Sequence, residues 1–222
     1  TDVDNAMNIG NGTLLSNSSV TIGHLEHFES PYGKAQEGWN LIGNPYLADI
    51  NITKHQNVIF DEHKVTKFVY QYNKELDNYI TFDMTNYDEE QKIIPFQSYF
   101  VQTLAPEAEL TVTPVAKEVT LNRRTFDYYT ANEYTSVRLK LYAEDKEQDR
   151  TDIIWEEGAS ADFVVNEDAP KFWSLSATAN QLFSAAGESA ASVNTLPMDT
   201  EEVKLGLRIG TPGKLSLRLS RI

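Results

Sequence analysis

The sequence predicts an all-β protein: two antiparallel β-sandwich domains, of jelly-roll or immunoglobulin-like type, in series. Three observations carry this. Apolar residues recur at period 2, as in Val203, Leu205, Leu207 and Ile209 against Lys204, Gly206 and Arg208. Turn signals interrupt the chain about every ten residues, and no segment shows a clean amphipathic helical stripe, the Ala- and Ser-rich stretch 177–191 included. The composition also changes near Val115. All seven arginines, from Arg123 to Arg221, follow it, and the net charge of −14 divides into −10 before it and −4 after. The division predicted is 1–114 and 115–222, with Pro106 and Pro114 flanking the boundary.

The first predicted strand lies in Gly38-Trp-Asn-Leu-Ile-Gly-Asn-Pro-Tyr46. Gly38 lets the chain turn tightly into it, and Trp39 and Leu41 share the face expected to be buried. Asn44-Pro45 then stops the ladder, because proline has no N–H and biases Asn44 away from the helical region. The Asn44 side chain is expected to cap that turn and Tyr46 to cover the corner. Together with Asn40 and Gly43, these residues form a structural motif without chemistry of its own. Next, Lys67–Tyr72 and Asn78–Asp83 flank the polar loop 74–77 as a hairpin. One strand is expected over Ile93–Gln102 and another over Leu110–Thr113. In the second half Val137, Leu139 and Leu141 alternate with Arg138, Lys140 and Tyr142. Val203–Ile209 and Leu215–Leu219 read as a hairpin across Gly210–Gly213, apolar side inward.

Hydrophobic residues at 41% and aromatics at 11% place the chain among packed globular proteins, not disordered ones. The absence of cysteine removes disulfides, thiol nucleophiles and thiolate-bound metals. The acidic balance repels phosphate backbones, so nucleic acid is excluded as a partner. No apolar run reaches the ~18–20 residues of a membrane span, and membrane insertion is not expected. A chain opening at Thr1 with no basic-then-apolar segment reads as processed or cut from something longer.

Candidate chemistry is sparse. His24 and His27 would be neighbours on a helix but face opposite sides of a strand, and with His55 and His63 they form no metal-site pattern, so no metal is assigned. Asp145, Glu147 and Asp149 alternate as calcium ligands do, yet lack the glycine and distal glutamate of a calcium loop. A solvated loop is the reading adopted, with weak Ca²⁺ capture as its alternative. Asp88, Glu89 and Glu90 read as a loop tip. No Gly-x-Ser-x-Gly elbow is present, and no catalytic residue or cofactor is assigned. Phe68, Tyr70 and Tyr72 share one face, which either stacks sugar rings or forms the inner face of a sandwich, the latter favoured. Tyr128 and Tyr129, in a polar connection, are the candidate ligand-binding residues. Trp155 and Trp173 are expected to anchor the second core. Asn11, Asn17 and Asn51 open glycosylation sequons.

The Gly38–Tyr46 motif, Phe68–Tyr72 with Tyr79-Ile80, and Ile93-Ile-Pro-Phe-Gln-Ser-Tyr-Phe-Val101 resemble the "GWNLVGNPY … IPPGQGFFV" pattern of large extracellular proteins of Bacteroidetes. Asp149-Arg-Thr151, Ile153–Gly158 and Asp168–Lys171 are similar to the module that follows in those proteins. Ser98 stands where the pattern has glycine, and Ser160–Val164 departs from a glycine-rich "TDGFD". The resemblance implies export through the outer membrane or by type IX secretion, a place on the cell surface or beyond it, and no catalytic residues. The expected function is a non-catalytic adhesion or spacer module with flanking domains, a glycan or a surface protein as partners. The alternative, motivated by 24 aromatic residues, is a carbohydrate-binding module of a secreted glycan-degrading enzyme. Both ends read as truncated. Leu215–Ile222 alternates to the last residue, so an unpaired edge and weak association through that strand are expected, opposed by Arg218 and Arg221.

Overall fold

Alternating and β-branched residues form strands almost wherever the sequence places them. In a computed structural model, which describes residues 18–53, 57–85, 90–115 and 135–220, the chain is all-β. The strands in the first half are β1 (Val20–Leu25), β2 (Trp39–Gly43), β3 (Ile50–Asn51), β4 (Val58–Phe60), β5 (Val65–Asn73), β6 (Asn78–Asp83), β7 (Lys92–Ile93), β8 (Ser98–Thr103) and β9 (Ala108–Val112). In the second half they are β10 (Thr135–Ala143), β11 (Lys146–Glu156), β12 (Ala169–Pro170), β13 (Gln181–Ala186), β14 (Ser189–Pro197), β15 (Leu205–Arg208) and β16 (Leu215–Ser220). Among the described residues the one helical element is a 3₁₀ turn, Lys34–Gln36.

The first-half strands form sheets ordered β1-β9-β4, β2-β8-β5-β6 and β3-β7. Between them lies an apolar core that includes Ile42, Tyr46, Ile50, Val69, Tyr99, Val101, Leu110 and Val112. The second-half strands form one sheet, β15-β13-β14-β11-β10-β16, curled into a half-barrel, with β12 attached to β14. The four-stranded sheet is covered on its other face as well. Phe68 and Tyr70 from β5 pack with Ala169 and Val193 from the second half, and Trp39, Phe100, Ile154 and Phe172 close around them.

Several expectations change here. Trp39 and Leu41 do share a face, but it is not the buried face of the first half. Leu41 is 62% exposed and Trp39 half-buried, while the opposite phase carries Ile42 into the core. The sequence showed the alternation without showing which phase faces inward. The strand expected over Ile93–Gln102 is two strands. Pro95 cannot donate to a ladder and Phe96 adopts φ +65°, so β7 and β8 join different sheets. Stretch 177–191 holds the β13–β14 hairpin, turning at Gly187 with φ +57°.

The expected hairpin of the closing strands does not form. β15 pairs with β13 and β16 with β10, at opposite ends of the sheet, and Leu205, Leu207, Ile209, Leu217 and Leu219 are exposed. The curl brings the two ends near enough for a short connection, so a turn signal between alternating runs was not a pairing signal. Trp155 and Trp173 are half-buried and not core anchors; Trp155 Nε1 donates to the Thr200 carbonyl at 3.0 Å. Asn51 is fully buried in β3, where no glycan can be carried.

Candidate functional site: an aromatic joint and its cleft

The Gly38–Tyr46 motif builds one wall of a joint between the two halves. Gly38 sits at φ +64°, and a Cβ there would lie 2.3 Å from the Thr103 carbonyl oxygen, so only glycine fits. That close approach places Trp39 at the start of β2. Asn40 fastens the preceding segment: its Nδ2 donates to the Glu26 carbonyl at 2.8 Å and its Oδ1 accepts from the Glu26 N–H at 3.0 Å. Gly43 is different, since a Cβ there meets only Ser98 Oγ at 3.9 Å.

At the far end of β2, Asn44 caps the turn as expected. Its Nδ2 donates to the carbonyls of Ala48 and Ile93, each at 2.9 Å, and its Oδ1 accepts the Tyr46 N–H at 2.9 Å. After Pro45 the Tyr46 ring turns into the core. Its hydroxyl donates toward the Ser18 and Val112 carbonyls, at 2.7 and 2.8 Å. Burial pushes that phenol above its usual pKa.

Trp39, Tyr70, Tyr79 and Phe100 come from four adjacent strands and stand on one face of their sheet. The Phe172 ring, from the segment after β12, inserts among them. Its centroid lies 4.9 Å from Trp39, 5.6 Å from Tyr70, 4.5 Å from Tyr79 and 4.9 Å from Phe100. The rings meet edge-on or tilted, with Tyr79 and Phe172 at 81°, which matches the quadrupole preference of aromatic pairs and differs from a flat stacking platform. Trp39 Nε1 donates to the Ala35 carbonyl at 3.1 Å. Buried Gln102 donates to the carbonyls of Lys34 and Glu37, at 2.8 and 3.0 Å, and so holds the 3₁₀ turn against the cluster.

Beside Phe172 a cleft of about 290 Å³ remains, lined by Trp39, Tyr79, Phe100, Phe172 and Trp173, with Gln36 and the 94%-exposed Leu175 at its margin. Trp173 packs on Phe183 at 5.3 Å, and the Arg208 guanidinium lies 5.9 Å from the Trp173 ring. Tyr72, at the exposed end of its row, donates to Asp77 through a short hydrogen bond. Hydrogen bonds from Ser176 and then Tyr72 hold Asp77 below its ordinary value.

Polar bonds close the joint around the rings. Thr81 Oγ1 and Ser192 Oγ stand 2.8 Å apart, Gln181 Nε2 donates to Asn78 Oδ1 at 2.9 Å, and Asn166 Oδ1 accepts from the Lys67 N–H at 2.9 Å. Behind Phe172, Lys171 Nζ reaches Asp149 Oδ2 at 2.5 Å, both side chains almost wholly buried. Burial holds the Lys171 ammonium below its usual pKa, against the pull of Asp149. Asp149 Oδ2 also accepts the Leu182 N–H at 2.7 Å. Asp168 accepts from the Val164 and Thr195 N–H groups, each at 2.7 Å, yet burial outweighs them and pushes its carboxyl up to about 6.

Other sequence candidates fall elsewhere. Asp145, Glu147 and Asp149 do not converge: Asp145 accepts from Arg218 at 3.0 Å and Glu147 from Lys140 at 2.9 Å, while Asp149 is buried. The solvated-loop reading is therefore corrected for Asp149, whose partner Lys171 is too distant in sequence for spacing to suggest. His27 Nδ1 lies 3.1 Å from the Thr103 carbonyl. Among the described residues no three His, Asp or Glu side chains gather to hold a metal. Tyr128, Tyr129, His55, Asp88 and Glu89 lie outside the described residues, and Glu90 accepts from Asn51 at 3.1 Å. Phe172 had no sequence signal beyond its size, and Trp173 was expected in a core.

The fold and this joint define the class no further than an all-β protein. No family model, no curated protein and no solved structure matches the chain.

Proposed function

We propose that the chain is a non-catalytic module of a larger extracellular protein, two β-sandwich units in series over residues 1–114 and 115–222, acting as a spacer or adhesion element. The observation that carries this reading is the joint. A spacer must transmit orientation between its parts, and a ring from one half inserted among four rings of the other resists both bending and shear. The resemblance of the Gly38–Tyr46 motif to Bacteroidetes surface proteins supports a place outside the cell or on the outer-membrane surface of a Gram-negative bacterium. Partners are then flanking domains and a glycan or a surface protein. Antibodies raised against this chain are expected to label intact, unpermeabilised cells. Labelling only after permeabilisation defeats the location. Hydrolysis of glycans, peptides or esters at a rate that one carboxylate substitution abolishes defeats the non-catalytic role.

A second reading is favoured by one observation, the ring-lined cleft. In a carbohydrate-binding module its half-exposed aromatic walls take the C–H face of a single sugar, with Gln36 offering hydrogen bonds at the margin. Titration with neutral oligosaccharides, followed by tryptophan fluorescence, tests it. Saturation that Trp173→Ala abolishes supports it, and an unchanged spectrum across a broad panel removes it.

A further inference from the structure

The half-barrel of the second half has an open side. Among the described residues its two end strands, β15 and β16, each pair with one neighbour and leave the other edge without a partner strand. Only residues 209–214 connect them, which limits the separation of Arg208 and Leu215 to about 25 Å at ~3.6 Å per residue. The sheet closes sharply on the side away from these edges. Thr151 Oγ1 of β11 stands 3.2 Å from Ser184 Oγ of β13, and Asp149 accepts the Leu182 N–H.

The interior surface runs out through this mouth. Leu182 is fully buried, and its register partner on β15 is Leu207, 47% exposed. Leu141 is fully buried, and its partner on β16 is Leu217, with Leu219 at 70% exposure one step further out. Paired residues share a face, so one apolar surface continues from the buried core to both free edges. Surface of that kind marks an interaction site when it adjoins unpaired backbone donors and acceptors.

Charge indicates what fits there. From Val203 to Ser220 the chain carries Lys204, Arg208, Lys214 and Arg218 and not a single carboxylate, although the whole molecule has a net charge of −14. We propose that the mouth between β15 and β16 binds an extended acidic segment of another polypeptide, which adds to a free edge as a β-strand. Its alternate apolar side chains cover Leu207, Leu217 and Leu219, and its acidic residues face Lys204, Arg208 and Lys214, Arg218 being already paired with Asp145.

The probe is a fluorescent eight-residue peptide alternating valine and glutamate, read by anisotropy. It is compared with a valine–lysine version and with an N-methylated valine–glutamate version that cannot donate to a strand edge. The glutamate peptide is expected to saturate, the lysine peptide to bind at least tenfold more weakly, and the N-methylated peptide not to bind. Leu207→Lys and Leu219→Lys, both at exposed positions, should keep the wild-type melting temperature and lose the glutamate peptide. Equal affinity for both charges, or binding that survives both substitutions, overturns the proposal. Failure of the glutamate peptide to bind also overturns it, as does a concentration-dependent dimer in sedimentation that Leu219→Lys abolishes.

Discussion

The two halves are stabilised by different means. In the first, three sheets share one apolar core from Leu25 to Val112, closed at its edge by Asn44 on its turn and by the Tyr46 hydroxyl on the Val112 carbonyl. In the second, Asp149, Lys171, Thr151, Ser184, Gln181 and Asn194 are buried beside Leu141, Ile153, Leu182 and Leu196, while Leu205, Leu207, Leu217 and Leu219 stand exposed at the open mouth. Burial of apolar surface is non-directional and tolerant, whereas a buried ion pair or hydrogen-bond network depends on every partner being present. The first half should therefore absorb small changes, and the second should fail at single contacts. The joint then determines whether such a failure stays local.

The sharpest way to break this contrast is Lys171→Met. It keeps the volume but leaves the Asp149 carboxylate buried without its cation, and a loss of about 3–5 kcal/mol is expected. Chemical denaturation measures it; a wild-type midpoint would show that the pair is not a keystone of the second half. Phe172→Ala comes next. The ring is half-buried, so the cost lies near the lower end of the range for phenylalanine truncation, about 3 kcal/mol. The more telling readout is cooperativity, since a calorimetric transition shared by both halves should separate into two. A single transition, merely shifted, would mean that the rings are not what couples them.

The third prediction is a pH dependence confined to the second half. Asp168 has a folded pKa of about 6, above the ordinary carboxylate value that it regains on unfolding. Between about pH 4 and 6 the folded form holds a proton that the unfolded form has released. Stability from this group is thus fully present in acid and falls as pH rises through that window, by up to about 2–3 kcal/mol, then levels off above it. Comparing stability against pH for wild type and Asp168→Asn checks the sign: the variant should lose the downward slope. The smallest effect belongs to β2. Leu41→Ser should change stability by no more than about 0.5 kcal/mol, because the side chain is exposed, whereas Ile42→Ala should cost about 2–5 kcal/mol. The reverse order would restore the burial phase first expected from Trp39 and Leu41.

By itself the sequence determined the strand-rich class, the β5–β6 hairpin, the stop at Asn44-Pro45 and the corner built on Tyr46, because these rest on alternation, proline and local capping within a few residues. Tertiary structure decided the rest. Alternation defines two faces without saying which meets a partner, so Leu41 and Ile42 exchanged roles, and the closing leucines lie at a mouth instead of inside a hairpin. The joint depends on Phe172 meeting four rings from β2, β5, β6 and β8, and the Lys171–Asp149 pair on the segment after β12 being brought against β11. Neither leaves a periodic or spaced signal along the chain. Contacts between residues remote in sequence depend on how sheets stack and bend, which is settled by the packing of the whole chain and not by any local run of it.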